Sequence, residues 1–346
     1  MITVNSISGG RTSSFMALHF PADHHIFACV EQEHIHTTME GKRRRDRDPN
    51  LLPAQDWLRL FNPGFWATAE DDRTIIALHR LSRELADHRQ DRDRGGIEVV
   101  FAHNTGDRRY DTFDKIVADF LPNARKRLCT EKLKVYPMYR YLKHYIIEGR
   151  VDEPTREPVE MRIGFRLDEV DRTVNLYFKV VEKAKRVPDP AFDLQAVINR
   201  YRIPDYIVTW WDRMDVEGTV RRGERVLKGN PFNEWKGDYY RIPAFPLIEA
   251  GVTHADIVKY WQGRPEYDFP PISNCVMCFH HTVQQLQKQW ADPINIAKMR
   301  WAAKAEATKG RTFLKHFTME QIRNLPIQTE LEFSDLSSCD SGGCTD

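Results

Sequence analysis

The feature that most restricts this chain is a plan that occurs twice: a short apolar strand, a glycine-bearing turn, then a helix. Residues Ile2 to Ile7 read as a buried strand, and Ser8-Gly9-Gly10-Arg11-Thr12-Ser13-Ser14 leads from it into the apolar-periodic start Phe15-Met16-Ala17-Leu18. The second unit runs from the strand Ile97 to Ala102 through the turn His103-Asn104-Thr105-Gly106-Asp107 into a helix carrying Phe113, Ile116, Val117 and Phe120. Strands joined through helices lie parallel, and a parallel sheet needs cover on both faces. The spacing therefore predicts an α/β fold: an open, mainly parallel twisted sheet of about five strands with helices on both faces. A helix is predicted from about Arg73 to Asp87, with others over Thr253 to Tyr260 and Thr282 to Gln289, and a strand over Val159 to Gly164.

Composition narrows the function. The 346 residues carry 51 Lys and Arg against 50 Asp and Glu, a formal charge of +1, which excludes binding nucleic acid through bulk charge and leaves only a local patch. No apolar run reaches the roughly 18 residues that cross a bilayer, and the N-terminal MITVNSISGG lacks the plan of a secretion signal, so the expectation is a cytoplasmic protein without a membrane partner. Six cysteines are too few for a disulfide scaffold and are read first as metal or redox groups. The arginine-rich tract at 40–56 and the run RQDRDRGG ending at Gly96 read as charged insertion loops. Arg43, Arg44, Arg45 and Arg47 with Trp57, Phe61 and Trp66 could instead form a basic and aromatic nucleic-acid surface, which the interleaved Asp46 and Asp48 weaken. Trp210-Trp211 and Tyr239-Tyr240 read as packing residues.

The turn at 6–13 has its own chemistry. Adjacent glycines let backbone approach a ligand, and hydroxyls beside helix N-terminal N–H groups make an anion site whose expected guest is phosphate. Neither the G-x-x-x-x-G-K-[ST] nor the G-x-G-x-x-G pattern is present. A plain Gly-Gly turn entering a helix would also account for it.

Ser8-Gly9-Gly10-Arg11-Thr12-Ser13 resembles the SGGxDS PP-loop of the N-type ATP pyrophosphatases, in particular the phosphoadenosine phosphosulfate (PAPS) reductase-like branch of the adenine nucleotide alpha hydrolase superfamily. Further segments resemble that branch in the same order: Asn104-Thr105-Gly106 with Thr112, Arg127-Leu128-Cys129-Thr130 with Lys134 and Pro137, and Gly164-Phe165-Arg166 with Glu169 and Arg172. Pro246-Leu247, Asp256-Ile257-Val258 with Tyr260, and Cys275-Val276-Met277-Cys278 complete a likeness over about residues 4 to 300. It implies a nucleotide across the strand ends, held by Ser8, Gly9, Gly10, Arg11, Thr12, Ser13, Thr105, Gly106, Asp107, Arg166 and Arg172, with Arg11, Lys134 and Arg166 in catalysis. Thr12 stands where the loop has Asp, which removes a carboxylate that would help hold Mg²⁺. The intact Ser-Gly-Gly and the cationic Arg11 favour ATP with Mg²⁺ over PAPS.

Cys275 and Cys278 can present both sulfurs to one metal, and His280 and His281 beside them permit zinc. The resemblance places Cys129 among cluster ligands and so implies a [4Fe–4S] cluster on Cys129, Cys275 and Cys278, with Thr130 replacing a fourth cysteine. The tail 337–346 carries Cys339 and Cys344. Cys344 could be a reductase nucleophile, a sulfur relay or a fourth ligand, and a terminal tail is also the ordinary place for disorder.

Together these predict a nucleotide-binding domain at 1–300 with insertions at about 40–95 and 173–240, followed by a helical segment and cysteine tail at 301–346. The implied activity is adenylation-dependent sulfur transfer to an acceptor, nucleic acid among the candidates, with a cysteine desulfurase or thioredoxin-like protein supplying sulfur or electrons. The alternatives are a PAPS or adenosine phosphosulfate reductase using Cys344, and a nucleotide sensor without turnover.

Overall fold

The computed structural model describes residues 1–33, 49–86, 95–105, 109–123, 127–148, 157–170, 172–173, 204–205, 234–235, 238–272 and 275–326. Its centre is a five-stranded, wholly parallel sheet of β1 (Thr3–Ile7), β2 (His24–Cys29), β3 (Glu98–Phe101), β4 (Val159–Arg162) and β7 (Arg241–Ala244), in the order β3-β2-β1-β4-β7. Between β4 and β7 in the chain, β5 (Glu234–Trp235) and β6 (Asp238–Tyr239) pair antiparallel in a small separate ribbon. The register sets Ile7 beside Phe27 and Asn5 beside Arg162.

Both faces of the sheet are covered, and the apolar residues of its strands alternate between them. Along β2, Ile26 and Ala28 point into one core, whereas Phe27 and Cys29 point into the other. The first core is closed by Met138, Leu142 and Ile146 of the helical run Leu128–Ile147. The second is closed by α1 (Arg11–His19), α2 (Leu51–Arg59), α3 (Asp72–Ala86) and α5 (His254–Gln262). Each fully buried Leu, Ile or Phe here contributes about 1.5–3 kcal/mol.

Two expectations about organisation are corrected by this packing. The described part of the 40–95 segment is no peripheral insertion: Leu51, Ala54, Trp57 and Leu58 of α2 and Ile75, Leu78 and Leu81 of α3 build the second core. The boundary at residue 300 falls inside α7 (Ile296–Lys309), whose Met299 and Ala302 pack with Ile116 of α4 (Phe113–Asp119) and Val276 in a third core. That core also takes Leu286 and Trp290 of α6 (Val283–Ala291) and Ile322 of α8 (Met319–Asn324), and with Val30 and Ala102 it lies past the C-terminal ends of β2 and β3. The C-terminal helices are therefore part of one body with the sheet, at least through residue 326.

The run Leu128–Ile147 changes pitch along its length, with π-helical turns at Glu131–Val135 and Leu142–Ile147 around an α-helical Tyr136–Tyr141. Pro137 accounts for the first, since its ring nitrogen cannot donate to the preceding turn and crowds that turn's carbonyl. The widened turn carries Lys134. The 173–240 insertion, Trp210-Trp211, Arg43 to Arg47 and the tail with Cys339 and Cys344 lie outside the described residues, apart from isolated positions. Tyr240 is core, as expected, whereas Trp66 is half exposed with the Arg59 guanidinium over its ring.

Candidate nucleotide site and thiol cavity

In a parallel sheet all C-terminal strand ends lie on one edge, and ligands bind there where the strand order reverses. Here the reversal is between β1 and β4, so the segments that meet at it are Ser8-Gly9-Gly10 after β1 and Gly164-Phe165-Arg166 after β4. Two glycines allow the meeting. Gly9 has φ +84°, and a Cβ there would collide with Thr74 Cγ2 of α3. A Cβ on Gly164 would press on Ser13 Cα and N at 3.3 Å.

The loop is tied by its own hydroxyls. Ser8 N donates to Ser13 Oγ at 3.1 Å, Ser13 Oγ donates to the Gly10 carbonyl at 3.2 Å, and the Ser8 and Ser13 hydroxyls are 3.0 Å apart. Gly10 is the N-cap of α1 and offers no side-chain acceptor to the first N–H groups. The helix start thus keeps its positive end directed at the strand edge. Arg11 is exposed at the first position of α1, and its carbonyl accepts from Trp261 Nε1 at 3.0 Å. Gly10, Arg11 and Thr12 line a small cavity with His254, Ile257, Phe269 and Pro270.

Thr12 is buried, and its hydroxyl accepts from Arg166 Nη1 at 3.0 Å. Arg166 also pairs with Asp168 at 3.2 Å and Glu169 at 3.5 Å, and Glu169 pairs with Arg172 at 2.6 Å. Burial raises Asp168, but bonds from Arg166 and the His254 N–H outweigh it and hold the carboxyl below its usual range. The position where the resemblance has a carboxylate is therefore a neutral hydroxyl backed by a guanidinium, which favours an anion over a metal ion at that spot. Arg172 is one step further out, over the Phe165 ring at 4.4 Å.

On the other side of β1, an apolar cavity between the sheet and the helical run is lined by Ser6, Ser8, Ala28, Lys134, Met138 and Arg241, among others. Ser8 of the loop is part of its lining. Thr105 ends a single 3₁₀ turn after β3, and Gly106, Asp107 and Cys344 lie outside the described residues.

Cys129, Cys275 and Cys278 meet elsewhere, in a second cavity past the β2 end, together with Val30, Phe113, Thr130, Lys134 and His280. The Cys275–Cys278 segment is a tight turn, with Cys278 N on the Cys275 carbonyl at 3.0 Å, and it is fixed by Val276 N on the Ala69 carbonyl and a bridge from Cys275 to Glu70. Three thiols are a suitable donor set for iron–sulfur or zinc. Their placement is another matter: among the described residues no group of three or more His, Cys, Asp or Glu is arranged to hold a metal ion. The remaining described cysteine, Cys29, is buried, and burial with Glu70 and Glu31 nearby pushes its thiol up, so it stays protonated.

The chain matches no protein-family model, no curated protein and no solved structure. Among the described residues no helix is long and apolar enough to cross a membrane.

Sequence reasoning missed Glu70, Arg241, His254 and Lys298. Lys298 is fully buried, donating to Asp72 at 2.7 Å and to the Glu70 carbonyl. With Asn295 and Arg73 on Asp71, it fastens α7 to the start of α3 beneath the thiol cavity. The one local signal is a run of four charged residues, Glu70 to Arg73, leading into an amphipathic helix.

Proposed function

We propose that the chain is a PP-loop enzyme that binds an adenine nucleotide, ATP by preference, and uses it to activate an acceptor for sulfur transfer. The observation that carries this reading is the Ser8–Ser13 loop at the β1/β4 reversal, with Arg166 behind Thr12 and an apolar cavity beside Ser8. The phosphates would lie on the loop and the start of α1, and the base in the cavity under Met138. An acceptor oxygen attacks the α-phosphorus, pyrophosphate departs with the bridging electron pair, and the acceptor becomes an adenylate. Anionic sulfur, from a sulfur-donor protein or thiol, then forms the new C–S bond as AMP leaves. The chain's contribution is electrostatic: Arg11, Arg166 and the N–H groups of α1 face charge that grows on the phosphates, and Mg²⁺, when bound, would share it.

The test is equilibrium binding of ATP with Mg²⁺ against PAPS, on protein purified without oxygen and with iron and zinc counted in the same sample. Selective ATP binding and sustained release of AMP and pyrophosphate with an acceptor support the reading. Selective PAPS binding with sulfite release replaces it by the reductase, and binding without any turnover replaces it by a sensor. Iron or zinc in the count that is lost when Cys129, Cys275 and Cys278 are replaced by Ser would assign it to the thiol cavity, as a [4Fe–4S] cluster or Zn²⁺ there would require.

A further inference from the structure

Lys134 lines both cavities: it borders the apolar one beside Ser8 and Ala28, and it borders the thiol one beside Cys129, Cys275 and Cys278. Its ammonium is fixed from below by Glu70 Oε1 at 2.9 Å. Glu70 is 1% exposed, and its second oxygen is buried without a hydrogen-bond partner. A buried carboxylate that gives one oxygen to a single lysine and leaves the other unused is a poor device for stability alone, because desolvating the pair offsets its attraction. The chain places it all the same in a segment, Ala69–Glu70, that also holds the cysteine turn.

We propose that Glu70 is a positioning residue acting with Lys134 as one unit: the carboxylate holds the ammonium in the wall common to the nucleotide and thiol cavities, where it serves anionic groups in both. The inference rests on the reading above for the identity of the nucleotide, but its thiol side can be read without it. In the resting protein the pair is neutral. An anion entering either cavity meets a cation already ordered by Glu70.

The test uses the full chain and two alkylating reagents, anionic iodoacetate and neutral iodoacetamide, with modification at Cys129, Cys275 and Cys278 mapped by mass spectrometry. Both reagents consume the same thiolate, so the ratio of their rates reports the charge lining the cavity and not the thiol's own acidity. Glu70→Gln leaves the ammonium uncompensated and is expected to raise that ratio about threefold or more, Lys134→Met leaves the carboxylate and is expected to lower it by a similar factor, and the double variant returns near wild type. ATP affinity should fall in Lys134→Met, and by less in Glu70→Gln, which keeps the ammonium but no longer holds it. A residue of merely structural weight would open the cavity and shift both variants the same way, and that result, or ratios that do not move, overturns the inference. If Lys134→Met fails to fold, Lys134→Gln, which can still donate to Glu70, takes its place with the same expected sign. Ratios that move as stated in a protein that binds no ATP would overturn the proposed function while supporting the shared pair.

Discussion

Gly9→Ala isolates what the loop demands of its backbone. The methyl group meets two separate obstacles. A φ of +84° is unfavourable for a residue with a Cβ by about 1–2 kcal/mol. The same methyl collides with Thr74 Cγ2 and sits 3.4 Å from Leu78 Cδ1, both in the packed second core, where overpacking costs about 1–3 kcal/mol. The expected loss is thus about 2–5 kcal/mol. With an unfolding entropy of about 2.1 cal/mol/K per residue, near 0.7 kcal/mol/K for this chain, the melting temperature should fall by about 3–7 °C, measured by circular dichroism. Thr74→Ser removes Cγ2 and so the second obstacle alone. In that background Gly9→Ala should cost only the backbone share, about 1–2 kcal/mol. A loss of under about 1 °C, or the same loss in both backgrounds, would refute the claim that Gly9 is required by close approach to α3. ATP binding by the folded variant should weaken as well, because relief of either obstacle moves the loop away from the Ser8–Ser13 bonds that shape it.

Three further outcomes follow from the same geometry. Lys298→Met strands the buried Asp72 carboxylate and should cost about 3–5 kcal/mol in denaturant unfolding, with Asp72→Asn in the same chain recovering most of it. Burial raises the Glu306 carboxyl despite bonds from the Phe313 and Met319 N–H groups, so its stabilising share is complete below the ordinary glutamate range and is lost as pH rises through the raised value. Glu306→Gln should flatten the melting temperature against pH across that window, and an unchanged profile would count against the assignment. Arg166→Met should weaken ATP binding about tenfold or more while leaving adenosine binding unchanged, as titration calorimetry would show, since the lost donor backs Thr12 in the loop proposed to take the phosphates. Glu169 keeps Arg172 at 2.6 Å, so that variant should fold.

What the sequence made legible was set by local rules. The strands Thr3–Ile7 and Glu98–Phe101 stand out as short β-rich runs that each lead into a turn, and α3, α5 and α6 fall within two residues of the apolar period that predicted them. Thr253 and Thr282 mark their helices by capping boxes that close within four residues. The Ser8–Ser13 turn was legible for the same reason: its bonds span five residues or fewer. What escaped were the partners that charged residues find far along the chain: Glu70 and Lys298 went unmarked, and the pairings of Lys134 and Arg166, which the resemblance singles out, could not be read locally. Lys134 meets Glu70 across 64 residues, Arg166 meets Thr12 across 154, and Lys298 meets Asp72 across 226. A lysine or glutamate in an amphipathic stretch is ordinarily a solvated one, and nothing local distinguishes the few that are buried. The misplacement of α2 and α3 as an insertion has the same origin, because the charged tracts that flank them say nothing of the core face between. In this chain the charges hardest to read are those around Glu70, where the cysteine turn, Lys134 and Lys298 come together from segments that carry no local sign of one another.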